Sequence, residues 1–139
     1  MRPADAPAVE RPAVDALPRG AETVLIVEDE VAVLRLTGRL LEGLGYTVIA
    51  TTDAREALAL AESATIDLLI TDVIMPLMSG REVYESLRGS RPGLRCLYTS
   101  GYTAEVITHR GVLEAGVHFL EKPFTREALA LKVREALGR

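Results

Sequence analysis

The sequence predicts an α/β domain in which five short strands form one parallel sheet, doubly wound and covered by about five helices. Three observations point there. From Thr23 onward, apolar runs of strand length alternate with longer segments of helical spacing: TVLIV (23–27), YTVIA (46–50), IDLLIT (66–71), LRCLYT (94–99) and VHFL (117–120). Within those runs the apolar residues are consecutive, the pattern of strands buried on both faces, and parallel strands joined by right-handed crossovers meet that requirement. The length, 139 residues, suits one compact domain with a tail.

Residues 1–21 carry four of the seven prolines, many alanines and mixed charges but no apolar periodicity, so they are expected to form a flexible tail or linker, with the folded domain over 22–139. In the first helical segment Val33, Leu36, Leu40, Leu41 and Leu44 share one face, and Gly45 suits the left-handed residue that ends a helix. The second helix is expected to start at Asp53, with Glu56 three residues on, and the third at Ser79, with Glu82 three residues on; both fit a capping box. Between residues 103 and 115 the helical pattern weakens, because β-branched residues mix with an internal Gly111 that costs a helix roughly 1 kcal/mol. The last helix is expected to start at Thr125 and to bury Leu129, Val133 and Leu137.

Composition removes several classes of function. The net charge is −4 and lysine and arginine do not cluster, so there is no electrostatic basis for nucleic-acid binding. No apolar run approaches the roughly 20 residues a spanning helix needs, so membrane insertion is not expected. The single cysteine, Cys96, cannot form an internal disulfide and reads as a small buried hydrophobe, and the N-terminus lacks a signal-peptide layout. A cytoplasmic protein with protein partners is the expectation. Neither glycine-rich phosphate-binding motif appears, and His109 and His118 are too isolated for a metal site.

In open parallel sheets the ligand crevice lies beyond the carboxyl ends of the strands, where the winding reverses. The polar residues there are Glu28, Asp29 and Glu30 after the first strand, Asp72 after the third, Thr99 and Ser100 after the fourth, and Lys122 after the fifth. Alone, Asp72 would read as a turn former. In this company the acids would repel strongly unless a cation sat among them, and Mg²⁺, a hard ion held by one or two carboxylates with waters and a phosphate, fits. Lys122 supplies a second positive charge. A strand-anchored Asp72 is rigid enough to serve as a nucleophile for phosphoryl transfer, with Ser100 as a nearby hydroxyl. Glu30 reads instead as a solvated first-turn acid. Phosphatases with an aspartate nucleophile need a second acid two residues later, and Ile74 stands there.

The motifs LIVEDE (25–30), ITDVIMPLMSG (70–80), YTSGY (98–102) and EKPF (121–124) occur in order. With them the chain, over roughly residues 22–138, resembles the response-regulator receiver domains of two-component signalling. The resemblance implies a flavodoxin-like sheet of order 2-1-3-4-5, with Asp72 phosphorylated from a phosphohistidine on a sensor histidine kinase or a histidine phosphotransfer protein. It implies Mg²⁺, with Mn²⁺ able to substitute, held by Asp29 and Asp72 directly, by the backbone carbonyl of Ile74, and through water by Glu28. Lys122 would contact the phosphoryl oxygens and precede a cis bond to Pro123. Ser100 would be the switch hydroxyl, with Thr99 the alternative if the register differs by one, and Phe119 the switch aromatic. Phosphorylation would shift the face formed by the fourth helix, fifth strand and fifth helix, which would bind a downstream protein or form a homodimer.

Some positions depart from the commonest family pattern: Glu28 stands in place of aspartate, Phe119 lacks a hydroxyl, and neither Ile74 nor Tyr102 suits the holding of an attacking water. Slow self-dephosphorylation is therefore expected, in a signalling domain and not an enzyme acting on other substrates. A pseudo-receiver, with the same fold used for docking or dimerisation without phosphorylation, is the alternative. With no output domain expected after Arg139, a free-standing receiver or the terminal receiver of a hybrid histidine kinase is the expectation.

Overall fold

The computed structural model describes residues 17–101 and 118–138. Their elements are β1 (Thr23–Val27), α1 (Val31–Gly43), β2 (Thr47–Thr51), α2 (Ala54–Glu62), β3 (Leu68–Asp72), α3 (Gly80–Arg88), β4 (Arg95–Ser100), β5 (His118–Glu121) and a C-terminal helix (Arg126–Leu137). The strands form one parallel sheet in the order β2-β1-β3-β4-β5, the doubly wound arrangement the sequence predicts. The expected weak helix over 103–115, with Tyr102 and His109, lies outside the described residues.

Consecutive apolar residues are needed because each strand feeds two cores. Val24 and Ile26 of β1 pack with Leu68, Ile70 and Leu97 under α1 and the C-terminal helix. Leu25 and Val27 point the other way and pack with Leu69, Cys96 and Tyr98 under α2 and α3. Strand β2 lies at the edge, and its outer residues Thr47 and Ala50 are exposed.

The helix caps follow the sequence with one exception. Ser79 and Glu82 form the reciprocal capping box. Asp53 accepts from the Arg55 and Glu56 amides, but the Glu56 carboxylate takes the Thr51 hydroxyl instead of turning back to the Asp53 amide, which donates to Thr51 Oγ1 at 3.1 Å. Thr125 caps the C-terminal helix, which buries Leu129, Val133 and Leu137. Gly45 ends the α1 connection at φ +103°.

Two expectations need correction. On α1 the buried residues are Leu34, Thr37, Gly38 and Leu41, while Leu36 is 54% exposed. The face is turned because Thr37 satisfies its hydroxyl on the Val33 carbonyl at 2.8 Å and is buried beside Gly38. The tail is also shorter than composition suggests. Leu17 is buried in the core, Gly20 N–H donates to the Leu44 carbonyl at 3.1 Å, and Glu22 pairs with Arg134 of the C-terminal helix at 2.9 Å. The packed unit therefore takes in residues 17–21.

Arg134 also donates to the Tyr46 hydroxyl at 3.0 Å, and its hydrogen bond lowers the Glu22 carboxyl to about 2. A depressed carboxyl contributes stability that is present above its ordinary pKa and lost as pH falls toward 2. Glu22→Gln is therefore expected to cost about 1 kcal/mol at neutral pH, a figure limited by solvent screening, and to flatten the acid limb of stability below its usual carboxyl range. Urea unfolding as a function of pH checks both.

Candidate functional site

The crevice is built from the chain leaving three strand ends. At β1 the chain is tied to β2, the Glu28 amide donating to the Thr51 carbonyl at 3.2 Å, and this turns the Glu28 carboxylate inward at 3% exposure while Asp29 faces solvent. Asp72 is the last residue of β3 and stands in register with Thr99 of β4. Beyond it the Val73 amide donates to the Thr99 carbonyl at 3.0 Å and the Gly80 amide to the Val73 carbonyl at 2.9 Å. The loop closes so tightly that a Cβ at Gly80 would overlap the Asp72 carbonyl oxygen. The Asp72 backbone is thus held from both sides.

Lys122 follows β5, where its amide donates to the Ser100 carbonyl at 2.7 Å, and the Lys122-Pro123 bond is cis. Its Nζ donates to Asp72 Oδ2 at 3.1 Å and to Glu28 Oε1 at 3.0 Å, with Glu30 Oε1 at 3.9 Å. Oxygens of Glu28, Asp29 and Asp72 lie within 4.8 Å of one another. Burial pushes the Asp72 and Glu28 carboxyls above their ordinary values, and the Lys122 ammonium opposes this only in part. Burial draws Lys122 down, but the hydrogen bonds from its ammonium to Glu28 and Asp72 win, and its pKa is raised. Three converging hard oxygen donors, one open to solvent, fit a small divalent cation that keeps some of its waters.

The other residues singled out in the sequence lie around this point. Ser100 ends β4 and is buried, Thr99 is buried beside Asp72, and Phe119 is half-buried against the core under α2 and α3, in register with Tyr98. Ile74 is exposed at the mouth, and Tyr102 lies outside the described residues. Glu30 is solvated, at 67% side-chain exposure, and makes no side-chain cap.

Sequence reasoning missed Leu77. It is 74% exposed, holds φ +74°, and is bridged by a hydrogen bond from the Met78 amide to the Pro76 carbonyl at 2.8 Å, a strained tight turn for a side chain of this kind. Nothing in the local spelling marks it, since leucine is not a turn former.

Residues 24–134 match the family model described as the response regulator receiver domain. The chain belongs to that family. The receiver is 37% identical over 120 residues to the sensor kinase CckA of Brucella abortus, covering 85% of this chain and 13% of the kinase. It is 32% identical over 117 residues to the probable transcriptional regulatory protein TcrX of Mycobacterium tuberculosis, covering 84% of this chain and 50% of that protein. The receiver thus spans an eighth to a half of these curated relatives. Among solved structures, the receiver domain of the hybrid histidine kinase CckA is 40% identical with a TM-score of 0.70, covering 83% of this chain and 98% of that one. The chemotaxis protein CheY4 of Vibrio cholerae is 29% identical with a TM-score of 0.76, covering 84% and 99%.

Proposed function

We propose that this receiver takes a phosphoryl group from a phosphohistidine of a sensor histidine kinase or histidine phosphotransfer protein onto Asp72, in the cytoplasm. The observation that carries the reading is the Lys122 ammonium bonded to Asp72 beside two further acids at one sheet edge. Asp29, Asp72 and the Ile74 carbonyl would hold Mg²⁺, with Glu28 close by; the ion would neutralise the phosphoryl oxygens when bound. The chain's own groups do the rest. An Asp72 oxygen attacks phosphorus in line, the P–N bond breaks, and its electron pair returns to the donor imidazole. Lys122, displaced from Asp72 Oδ2, follows the charge onto the phosphoryl oxygens. The Ser100 hydroxyl donates to a phosphoryl oxygen, and Phe119 follows it inward, carrying the change to the face of β5 and the C-terminal helix that meets a downstream protein or a second copy. Ile74, apolar two residues after Asp72, offers no group to hold an attacking water, which supports slow self-dephosphorylation in a domain that acts on no other substrate.

Incubation with acetyl phosphate, followed by peptide mapping, is expected to place one phosphoryl group on Asp72 when Mg²⁺ or Mn²⁺ is present and none in chelator. Failure to acquire it under any metal would leave the fold as a docking module.

Two of the five large hydrophobics exposed among the described residues, Leu36 and Leu77, lie beside this crevice. Leu36 shares a hollow with Lys122, and Leu77 shares one with Asp29. A protein donor must cover them to reach Asp72. Leu36→Asp is expected to slow transfer from a protein donor by about tenfold, the equivalent of one lost apolar contact, and to leave acetyl phosphate labelling unchanged. Parallel transfer time courses check this.

A further inference from the structure

We infer that residues 17–22 form a strap that holds the C-terminal helix while Lys122 rests on Asp72 and lets go when Asp72 is phosphorylated, passing the signal to the chain ahead of Leu17. The inference rests on the phosphoryl-transfer reading above and adds a second place where its result is felt. The strap is tied down at both ends. Leu17 is buried in the core shared by Leu44, Tyr46, Val133 and Leu137, and the Gly20 amide donates to the Leu44 carbonyl at 3.1 Å. Glu22 meets Arg134 with both carboxylate oxygens, at 2.9 and 3.1 Å, and its carbonyl accepts from the Thr47 amide at 3.1 Å. Arg134 in turn donates to the Tyr46 hydroxyl at 3.0 Å.

The slot admits backbone and nothing larger. A Cβ at Gly20 would overlap the Tyr46 ring, the Arg134 guanidinium and the Glu22 carboxylate, and one at Gly45 would overlap the Gly20 carbonyl oxygen. The fork between Glu22 and Arg134, each 17% exposed, fixes orientation as well as distance. One helix links this strap to the phosphoryl site. Thr125 caps the C-terminal helix three residues after Lys122, and Arg134 lies nine residues further on, about 14 Å along the axis. In the reading above Lys122 moves from Asp72 Oδ2, now at 3.1 Å, onto the phosphoryl oxygens. A displacement at that end carries to Arg134, because packed helices shift as units by roughly 1–2 Å. A two-point fork tolerates little of this, since hydrogen bonds weaken steeply as they bend. The closed strap and Lys122 on Asp72 are thus two ends of one arrangement.

Amide hydrogen exchange resolved by residue in NMR tests this, with beryllofluoride and Mg²⁺ as the phosphoryl mimic. On binding, the Gly20 and Thr47 amides are expected to exchange about fivefold faster, the low end of coupling between distant sites. Coupling is reciprocal, so Glu22→Gln, which weakens the strap and lies outside the crevice, is expected to bind beryllofluoride about fivefold more tightly than wild type. In metal-free protein Gly20→Ala, which fills the slot, is expected to speed exchange at the Lys122 amide as well as beside Arg134. The inference is overturned if beryllofluoride binds and the Gly20 and Thr47 amides keep their rates, or if Glu22→Gln binds it no more tightly than wild type. Were beryllofluoride to find no site, the phosphoryl-transfer reading would fall, and the metal-free comparison would still decide whether the helix joins its two ends. An effect of Gly20→Ala confined to the strap and the Arg134 end would overturn the inference.

Discussion

Asp72→Asn is expected to abolish phosphoryl acquisition and, in the same molecule, to raise metal-free stability at pH 7 by about 1 kcal/mol, or about 4 °C in Tm. The two effects share a cause. Burial holds the Asp72 carboxyl above its ordinary pKa despite Lys122 and the Ile74 amide, and Glu28 beside it is raised by burial as well. A carboxyl whose folded pKa is raised stabilises the fold below its ordinary pKa, and that contribution is lost as pH rises through the raised value. At neutral pH both acids therefore count against the folded state. Asparagine keeps the shape and one acceptor oxygen for Lys122 but removes the charge, so the penalty at this position disappears along with the nucleophile. Metal-free wild type should lose stability as pH rises above the ordinary carboxyl range, and Asp72→Asn should lose less over the same rise. Added Mg²⁺ should stabilise wild type more than the variant. Thermal melts across pH with chelator and with Mg²⁺ check the slope, and a variant less stable than wild type at pH 7 would show that the Asp72 to Lys122 pair outweighs the burial.

The parts of this receiver that were legible in its sequence are those fixed by neighbours along the chain. Asp72 and Lys122 could be placed because each follows directly on an apolar strand, and strand ends at one sheet edge converge whatever the helices do. Ser79 and Glu82 could be read as a box because both partners lie within one turn. The misread parts depend on contacts distant in sequence or on atoms a hydrophobic pattern ignores. Leu36 counted as a core residue, yet the core accepted Thr37 and Gly38, one with its hydroxyl satisfied internally and the other with no side chain. Residues 17–21 looked like linker because their partners, Leu44 and the core around Leu17, lie far along the chain, as does Arg134 for the adjoining Glu22. The half-formed cap at Asp53 is due to Thr51, a residue outside the motif that competes for Glu56. The tie between Lys122 and Glu28 joins residues 94 apart, and it was legible as a positive charge among converging acids, though not as a bond to a particular one of them.

Lys122→Met should show how far the crevice depends on its one ammonium. Methionine approximates the length of the lysine stem, so packing along it is preserved while the charge is lost. Glu28 and Asp72, both largely buried, then face each other with no cation between them. Removing one partner of a buried ion pair leaves uncompensated charge, and a loss of about 3 kcal/mol is expected in metal-free protein at pH 7. Because the loss comes from ionised carboxylates, it should fade as both take up protons in acid, and Mg²⁺ should restore much of it at neutral pH by supplying the missing positive charge. Urea unfolding at pH 4 and pH 7, each with chelator and with Mg²⁺, separates these contributions. Phosphoryl acquisition from acetyl phosphate should fall by about a hundredfold even at saturating Mg²⁺, the effect of removing one fixed donor to developing charge. A loss of stability equal at both pH values and indifferent to Mg²⁺ would mean that Lys122 matters through its stem, and the electrostatic account of the crevice would then fail at the residue on which it chiefly rests.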